Sequence, residues 1–438
     1  MRGVTCVRLP AYIGALRVLD EGEIMAFPAV EVNPHWTGYR CGLCGKSFST
    51  DWRGFVCDDC GIDGILDATY DYGAIRDGLA ENAFAADGRP DLWRFRPLLP
   101  LWPAASHPAW ALGDSPLHAP ARLHERLGLP GLFLKDDTGL PSSSLKDRAT
   151  AVAMADCARL GVGHVAAAST GNAAASLAVL AARAGIGTTI FVPAAAPTAK
   201  LAQLELHGAE VVRVDGTYDA AFDHSLREIA AHGWYSRNCA HNPLLVEGKK
   251  TVALEIGLAL DGRAPDAVFV PTGDGCIVSS VCKGLQELVE IGRLDRVPAV
   301  FGVQAAGAAP LARAWERAGA DAAGFTPAEA LAAVAPVEPR TLADSIGVGV
   351  PRNRLKAWSR VASTGGGFLS VADEEIVAAI RLMAEFAGVW AEPSGAAGLA
   401  GLVAAKRAGR IRPEETVVVL VTGHGLKDPQ AGFAATRE

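Results

Sequence analysis

A chain of 438 residues, half of them hydrophobic and with 48 glycines and 26 prolines to turn it, is long enough to bury the cores of two or three domains. Its formal net charge of −7 opposes attraction to nucleic acid or to an anionic membrane surface, so a small molecule is the expected partner. The uncharged run from Val165 to Ala182, about 18 residues, holds Ser169, Thr170, Gly171 and Asn172 near its centre and is too polar to span a bilayer.

In chain order, Met1 to Pro10 carries Arg2 and Arg8 but no apolar core ending in a cleavage site, so no secretory leader is expected and the chain is expected in the cytoplasm. Residues 1–73 form an N-terminal segment in which Cys41-Gly42-Leu43-Cys44 and Cys57-Asp58-Asp59-Cys60 stand as two C-x-x-C knuckles. That spacing lets four thiolates close tetrahedrally on Zn²⁺, with two disulfides or four unbonded thiols as the alternatives, and a reducing compartment disfavours disulfides. Four thiolates leave no open coordination position, so the metal at Cys41, Cys44, Cys57 and Cys60 would be structural, stapling a zinc-ribbon-like unit over residues 35–73. Acidic residues crowd it (Asp51, Asp58, Asp59, Asp63, Asp67, Asp71), which argues against a nucleic-acid module. Cys6, Cys157, Cys239, Cys276 and Cys282 have no partner by spacing, and Cys157 and Cys282 fall in apolar helical runs that suit a core.

Residues 74–120, with Trp93, Trp102 and Trp110 among prolines, carry little periodicity and read as an irregular arm with short helices. From 121 the pattern becomes regular. Strands are expected at Gly131–Leu134, Val165–Ala168, Thr188–Val192 and Glu210–Asp215, and helices at Asp147–Leu160, Asn172–Ala184, Thr198–His207 and Asp219–His232. A further set opens with Asp266–Val270 and closes with Thr416–Val421; Ala318–Ala335 reads as helices. Alternation of this kind predicts an α/β fold with two open, mostly parallel sheets and a ligand cleft between them, about 150–250 forming the smaller, mobile domain of a 121–438 catalytic region.

Lys146, in Ser143-Ser144-Leu145-Lys146-Asp147-Arg148, sits where a Gly/Pro/Ser turn enters a helix, a place where a desolvated amine can form a Schiff base. Three small-residue turns follow apolar strands: Ser169-Thr170-Gly171-Asn172, Thr272-Gly273-Asp274-Gly275-Cys276, and Thr422-Gly423-His424-Gly425. The second precedes a helical run from Ile277 to Ile291, so its amides and the helix dipole suit a phosphate, although a tight turn with Asp274 as helix cap would read the same.

Together these stretches resemble the cofactor cradle of fold-type II pyridoxal phosphate enzymes, the tryptophan synthase β family, and threonine synthases in particular. The resemblance runs from about residue 35 and includes the four-cysteine ribbon, Pro197–Gln203, Asn242-Pro243 with Glu247-Gly248, Pro351-Arg352-Asn353 and Glu392-Pro393-Ser394-Gly395-Ala396. It implies pyridoxal 5'-phosphate carried by Lys146, which would also act as base at Cα and as proton shuttle. It implies phosphate contacts from Thr272, Gly273, Asp274, Gly275, Cys276 and Ile277, a contact from Asn172 to the phenolic oxygen, and Thr422 at the pyridine nitrogen. Ser169, Thr170 and Gly171 would hold the substrate carboxylate, and the protein would be a homodimer. Asp274, a carboxylate where the family mostly has a neutral residue, is expected to face away from the phosphate and cap backbone donors.

The resemblance implies elimination and replacement at Cβ or Cγ of an activated amino acid. True threonine synthesis from O-phosphohomoserine and water, or a non-catalytic binding paralogue, are the alternatives. Departures bear on the substrate: Leu145 and Ala149 change the motif around Lys146, Leu244 and Leu245 stand where an aromatic and a phosphate-gripping arginine are usual, and Ala173 replaces a threonine. Phosphohomoserine is therefore expected to be a poor substrate, unless Lys249, where glutamine is common, reaches its phosphate. His424 and Lys427 receive no role.

Overall fold

The protein is described by a computed structural model covering residues 29–80, 84, 91–104 and 110–436, so the expectations for Met1–Pro10 and Cys6 lie outside the described residues. The strands in chain order are β1 (Val30–Val32), β2 (Trp36–Cys41), β3 (Ser47–Phe48), β4 (Val56–Cys57), β5 (Gly61–Tyr70), β6 (Leu101–Pro103), β7 (Leu117–His118) and β8 (Leu132–Asp136). There follow β9 (His164–Ala168), β10 (Gly187–Pro193), β11 (Glu210–Val214), β12 (Tyr235–Ser236), β13 (Ala267–Pro271), β14 (Ala299–Ala305), β15 (Gly367–Val371) and β16 (Val417–Val421).

The larger sheet has the order β15-β14-β13-β16-β8-β7, parallel except for the antiparallel edge pair β7-β8. Its central strand Val417–Val421 is wholly buried because both faces are covered. Side chains alternate between two cores: Val417, Val419 and Val421 join Phe269 on one face, and Val418 and Leu420 join Val268 and Val270 on the other. Each such buried valine or leucine contributes about 1.5–3 kcal/mol relative to exposure, which fixes the register.

Between β8 and β13 in sequence the chain builds the smaller sheet, β11-β10-β9-β12, parallel throughout. The helices Lys146–Leu160, Asn172–Ala184, Thr198–Leu206 and Tyr218–His232 lie within a residue or two of expectation. The helix Leu244–Ala259 does not announce itself in the sequence, because its buried face carries Glu247, Lys249, Lys250, Thr251 and Glu255 and so lacks an apolar period. The described residues of the 74–120 stretch include the short turn of helix Leu92–Leu98 and lend β6 to β1 and β7 to the larger sheet. Among the described residues no helix is long and apolar enough to cross a membrane.

The knuckles sit on the antiparallel sheet β3-β2-β5-β4. Its acidic residues do not all face water: Asp67 pairs with Arg360, with Lys283 at 3.3 Å and with Lys356 at 3.6 Å, and Asp63 meets Arg354 at 3.0 Å. Tyr70 donates to Glu247 at 2.7 Å, and Glu247 also receives Lys250 at 2.5 Å and Lys283 at 2.7 Å. This buried network clamps the ribbon onto the helices Leu244–Ala259 and Cys276–Glu290, the second of which opens into the site described next.

Candidate active site

Lys146 is the first residue of its helix, and the turn before it is fixed from both directions. Leu145 N–H donates to Thr422 O at 3.0 Å and His424 N–H to Ser143 O at 3.1 Å, which ties the turn to the end of β16. Ser143 adopts a left-handed φ of +59°, an uncommon conformation for a residue other than glycine and one that lets the chain double back at this point. On the helix side Asp147 accepts from the Ser142 hydroxyl at 2.5 Å and N–H at 2.6 Å. Arg148, wholly buried, is gripped by Asp137 at 2.8 Å and Glu255 at 2.6 Å. Burial pulls the Lys146 ammonium below the usual lysine range, and Lys249 and Arg237 add to this while Cys239 and Cys276 oppose it. An amine so placed is available as a nucleophile and base.

Lys146 opens on a cavity of about 550 Å³ of empty space, some of it open to solvent, walled by Gly273–Ile277, Asn172, Cys239, Ser345, Glu392, Ser394 and Thr422. Four helices begin at this wall without a side-chain cap, Lys146–Leu160, Asn172–Ala184, Cys276–Glu290 and Pro393–Arg407, and two of them start after a glycine. The helix Cys276–Glu290 begins after Gly275, whose φ is +84° and whose missing Cβ would lie 2.8 Å from Ala357 Cβ. At Gly273 a Cβ would lie 2.9 Å from Ile346 Cα, so both positions require glycine. The helix Asn172–Ala184 begins after Gly171, again with no side-chain cap. Uncapped first-turn N–H groups and the helix dipole make each an anion site. Asp274 does not cap its own helix: its carboxylate accepts from Arg352 N–H at 2.6 Å, and its carbonyl from Asn353 N–H at 3.0 Å, while burial raises its pKa.

Asn172 donates to Glu392 Oε1 at 2.7 Å and to Ser345 Oγ at 3.3 Å. Glu392 is 5% exposed and is pushed up to about 7 by burial, against the opposing pull of Lys427, Asn172 and Lys146. It forms part of the wall of this cavity and of an adjoining one lined by Thr170, Gly171, Gln203, Ser345 and Lys427.

The sequence profile of pyridoxal-phosphate dependent enzymes matches residues 110–423. The chain belongs to that family. It is 35% identical to the threonine synthase of Methanocaldococcus jannaschii over 400 residues, covering 91% of this chain and 95% of that one. It is 36% identical to the threonine synthase of Methanosarcina acetivorans over 393 residues, covering 89% and 92%. Among solved structures, processed threonine deaminase isoform 2 of Solanum lycopersicum shares the fold, with a TM-score of 0.63 at 24% identity over 75% of this chain and 84% of that chain.

The protein is thus a pyridoxal-phosphate dependent enzyme of fold type II, and its residues fit that cofactor: a deprotonatable buried amine, and a glycine cradle at an uncapped helix start. Of the expected residues, Lys146, Asn172, Gly273, Asp274, Gly275, Cys276, Ile277 and Thr422 share one cavity, and Thr170 and Gly171 line its neighbour. Three do not reach either wall. Thr272 donates its hydroxyl back to Val270 O at 2.9 Å, Ser169 Oγ accepts from Gly171 N–H at 3.2 Å, and Lys249 is wholly buried behind Cys239, its Nζ 3.9 Å from that sulfur. Glu392, Ser394, Ser345 and Cys239 line the site without having been singled out. The first two lie in a motif that is legible in the sequence, whereas Ser345 arrives from a distant short turn, Asp344–Ile346, that no periodicity marks.

Away from this cavity, the Sγ atoms of Cys41, Cys44, Cys57 and Cys60 lie within 4.8 Å of one another. The Cys44 thiol is drawn down to about 7 by the Lys46 backbone N–H, and Cys60 is pushed up to about 12 by its hydrogen bond with Cys44. Such a set of sulfurs can hold a metal ion.

Proposed function

We propose that the enzyme catalyses elimination and replacement at Cβ or Cγ of an activated amino acid, as a lyase or synthase of the threonine synthase type. The observation that carries this is Lys146, its amine desolvated at a cavity served by two uncapped helix N-termini that each follow a glycine. Pyridoxal phosphate supplies an electron sink for charge developing at the substrate's Cα. The helix start at Gly275–Ile277 would bind its phosphate, Asn172 its phenolic oxygen and Thr422 its ring nitrogen. A threonine hydroxyl does not hold that nitrogen protonated as a carboxylate would, which favours elimination and replacement over transamination. Lys146 would hold the cofactor, then take and return protons at Cα. The substrate carboxylate would lie at the Ser169–Asn172 helix start.

The leaving group decides between two readings. Leu245 is 1% exposed and Lys249 is screened by Cys239, which supports a substrate other than phosphohomoserine. Relatives that are threonine synthases over nine-tenths of the chain favour threonine formation. Incubating the holoenzyme with O-phosphorylated and O-acetylated serine and homoserine, and following leaving-group release and amino-acid products, tests both. Release from none of them by cofactor-loaded protein would overturn the proposal in favour of a binding paralogue.

We further propose that the four-cysteine cluster holds one structural Zn²⁺, that the enzyme acts as a homodimer, and that it works in the cytoplasm, where free thiols persist.

A further inference from the structure

Of the cysteines outside the knuckles, Cys157 and Cys282 are wholly buried in the core, but Cys239 and Cys276 reach the cavity wall together. Cys276 begins the helix of the proposed phosphate loop, and Cys239 follows β12. The two pack in one small cluster with Ile65 and Ala240. Cys239 is surrounded by cations. Arg237, wholly buried, donates from Nη1 to Cys239 Sγ at 3.2 Å and otherwise only to Thr150 Oγ1, at 3.0 and 3.1 Å, and to Lys146 O at 3.4 Å. Lys249, also wholly buried, has Cys239 Sγ at 3.9 Å as its polar neighbour. Neither has a carboxylate partner among the described residues, and a buried cation without a counter-charge is costly. Cys239 Sγ is the acceptor that both reach, which favours its thiolate form, and the Asp274 carboxyl lies in the field of Lys249 from farther off. Cys276 Sγ, on its other side, lies 3.9 Å from Asp274 Oδ2, to which it is placed to donate. The arrangement is therefore a cation-stabilised thiolate against a neutral thiol, both open to small molecules entering the cavity.

We propose that Cys239 and Cys276 form a peroxide-sensitive pair that closes to a disulfide at the cofactor's phosphate loop. Its regulatory meaning rests on the reading of Gly273–Ile277 as that loop; the thiol chemistry does not. The Cys239 thiolate attacks one peroxide oxygen, the O–O bond breaks, and hydroxide leaves, taking up a proton to become water. The resulting sulfenic acid is attacked by the Cys276 sulfur, whose proton departs with the displaced hydroxide as a second water. Two thiols are oxidised by two electrons and one hydrogen peroxide is reduced to two waters. The bond would tether the first helical residue of the phosphate loop to the segment after β12 and hold its amides away from a phosphate, so oxidised protein would take up pyridoxal phosphate poorly.

The test treats the full chain, stripped of or loaded with pyridoxal phosphate, with equimolar hydrogen peroxide, blocks remaining thiols with N-ethylmaleimide and maps the peptides by mass spectrometry. The expected result is a Cys239–Cys276 cross-link, two hydrogens lighter, reversed by dithiothreitol and formed about ten-fold more slowly when cofactor is bound. Iodoacetamide should alkylate Cys239 at least about ten-fold faster than buried Cys157 near neutral pH. Cys239→Ser and Cys276→Ser should each abolish the cross-link, and the wild-type map decides alone where a variant does not fold. Oxidation confined to the knuckle cysteines, or Cys239 alkylated no faster than Cys157, would overturn the proposal. A cross-link in protein that binds no pyridoxal phosphate even when fully reduced would uphold the thiol pair and sink the phosphate-loop reading; cofactor bound by the reduced protein with no cross-link on oxidation would do the reverse.

Discussion

At the scale of single residues the site rests on groups whose ionisation is shifted by burial. Lys146→Ala should fold, since Arg148 and Asp147 still fix the helix start, but should not become covalently linked to pyridoxal phosphate on borohydride reduction. Finding the pyridoxyl group on another lysine of the wild-type peptide map would refute the assignment. Glu392 offers a pH signature. Its folded-state value of about 7 lies above the ordinary 4.5, so the folded protein binds the proton more tightly than the unfolded chain. Stability from this group is thus fully present below about 4.5 and lost as pH rises toward 7, by on the order of 3 kcal/mol. Glu392→Gln keeps an oxygen for Asn172 but cannot ionise. Denaturation of cofactor-free protein between about pH 4.5 and 8 should therefore show wild type losing stability relative to the variant; parallel curves would show that Glu392 does not titrate there. A lysine at a loop-to-helix junction is a weak signal alone; Lys146 stands out in the sequence through the three small-residue turns that follow it, parts of which share its cavity. Glu392 was not singled out as a site residue, because its role depends on Asn172 and Lys427, which are brought to it from other elements.

At the scale of elements, what matters is how helices begin. Gly275→Ala would force a side chain into a left-handed backbone and against Ala357, at a cost of about 1–3 kcal/mol, and would displace the amides of the helix start. Cofactor affinity, read by titration with pyridoxal phosphate, should fall at least about ten-fold, roughly 1.4 kcal/mol; unchanged affinity would remove the phosphate from this turn. The helix Leu244–Ala259 carries the substrate question, since Leu245 and Lys249 lie one turn apart on it. Leucine offers a phosphate no donor, and loss of a charge-assisted contact costs about 1.5–3 kcal/mol. Phosphohomoserine should accordingly show a high KM. Efficient threonine formation that disappears in Lys249→Ala would show instead that Cys239 swings aside and the lysine grips the phosphate.

At the scale of the whole molecule, the ribbon is coupled to the active site through buried charge. Asp67→Ala would leave Arg360, Lys283 and Lys356 without their shared carboxylate and should destabilise the fold by about 3–5 kcal/mol, measured by denaturant titration. A change below about 1 kcal/mol would mean that the contact behaves as an ordinary surface pair. The sequence by itself determined the alternation of strands and helices, since runs such as Val417–Val421 must be buried on both faces and their turns are written in glycine, serine and proline. It also determined the paired knuckles and, to within a residue, the helix starts at Lys146, Asn172 and Cys276, because these are local in the chain. Only the tertiary structure decided that the Thr272 and Ser169 hydroxyls bond to nearby backbone, that Lys249 lies behind Cys239, and that Glu392 and Ser345 complete the wall. It decided as well that ribbon carboxylates pair internally and that Cys239 meets Cys276. The physical reason differs with range. Asn172 with Glu392 and Asp67 with Arg360 are 220 and 293 residues apart, and a hydrogen bond or ion pair at that range leaves no period or spacing in the chain to read. Thr272, Ser169 and Lys249 find partners close in sequence, and there the packing around each side chain selects which of several neighbouring groups it meets.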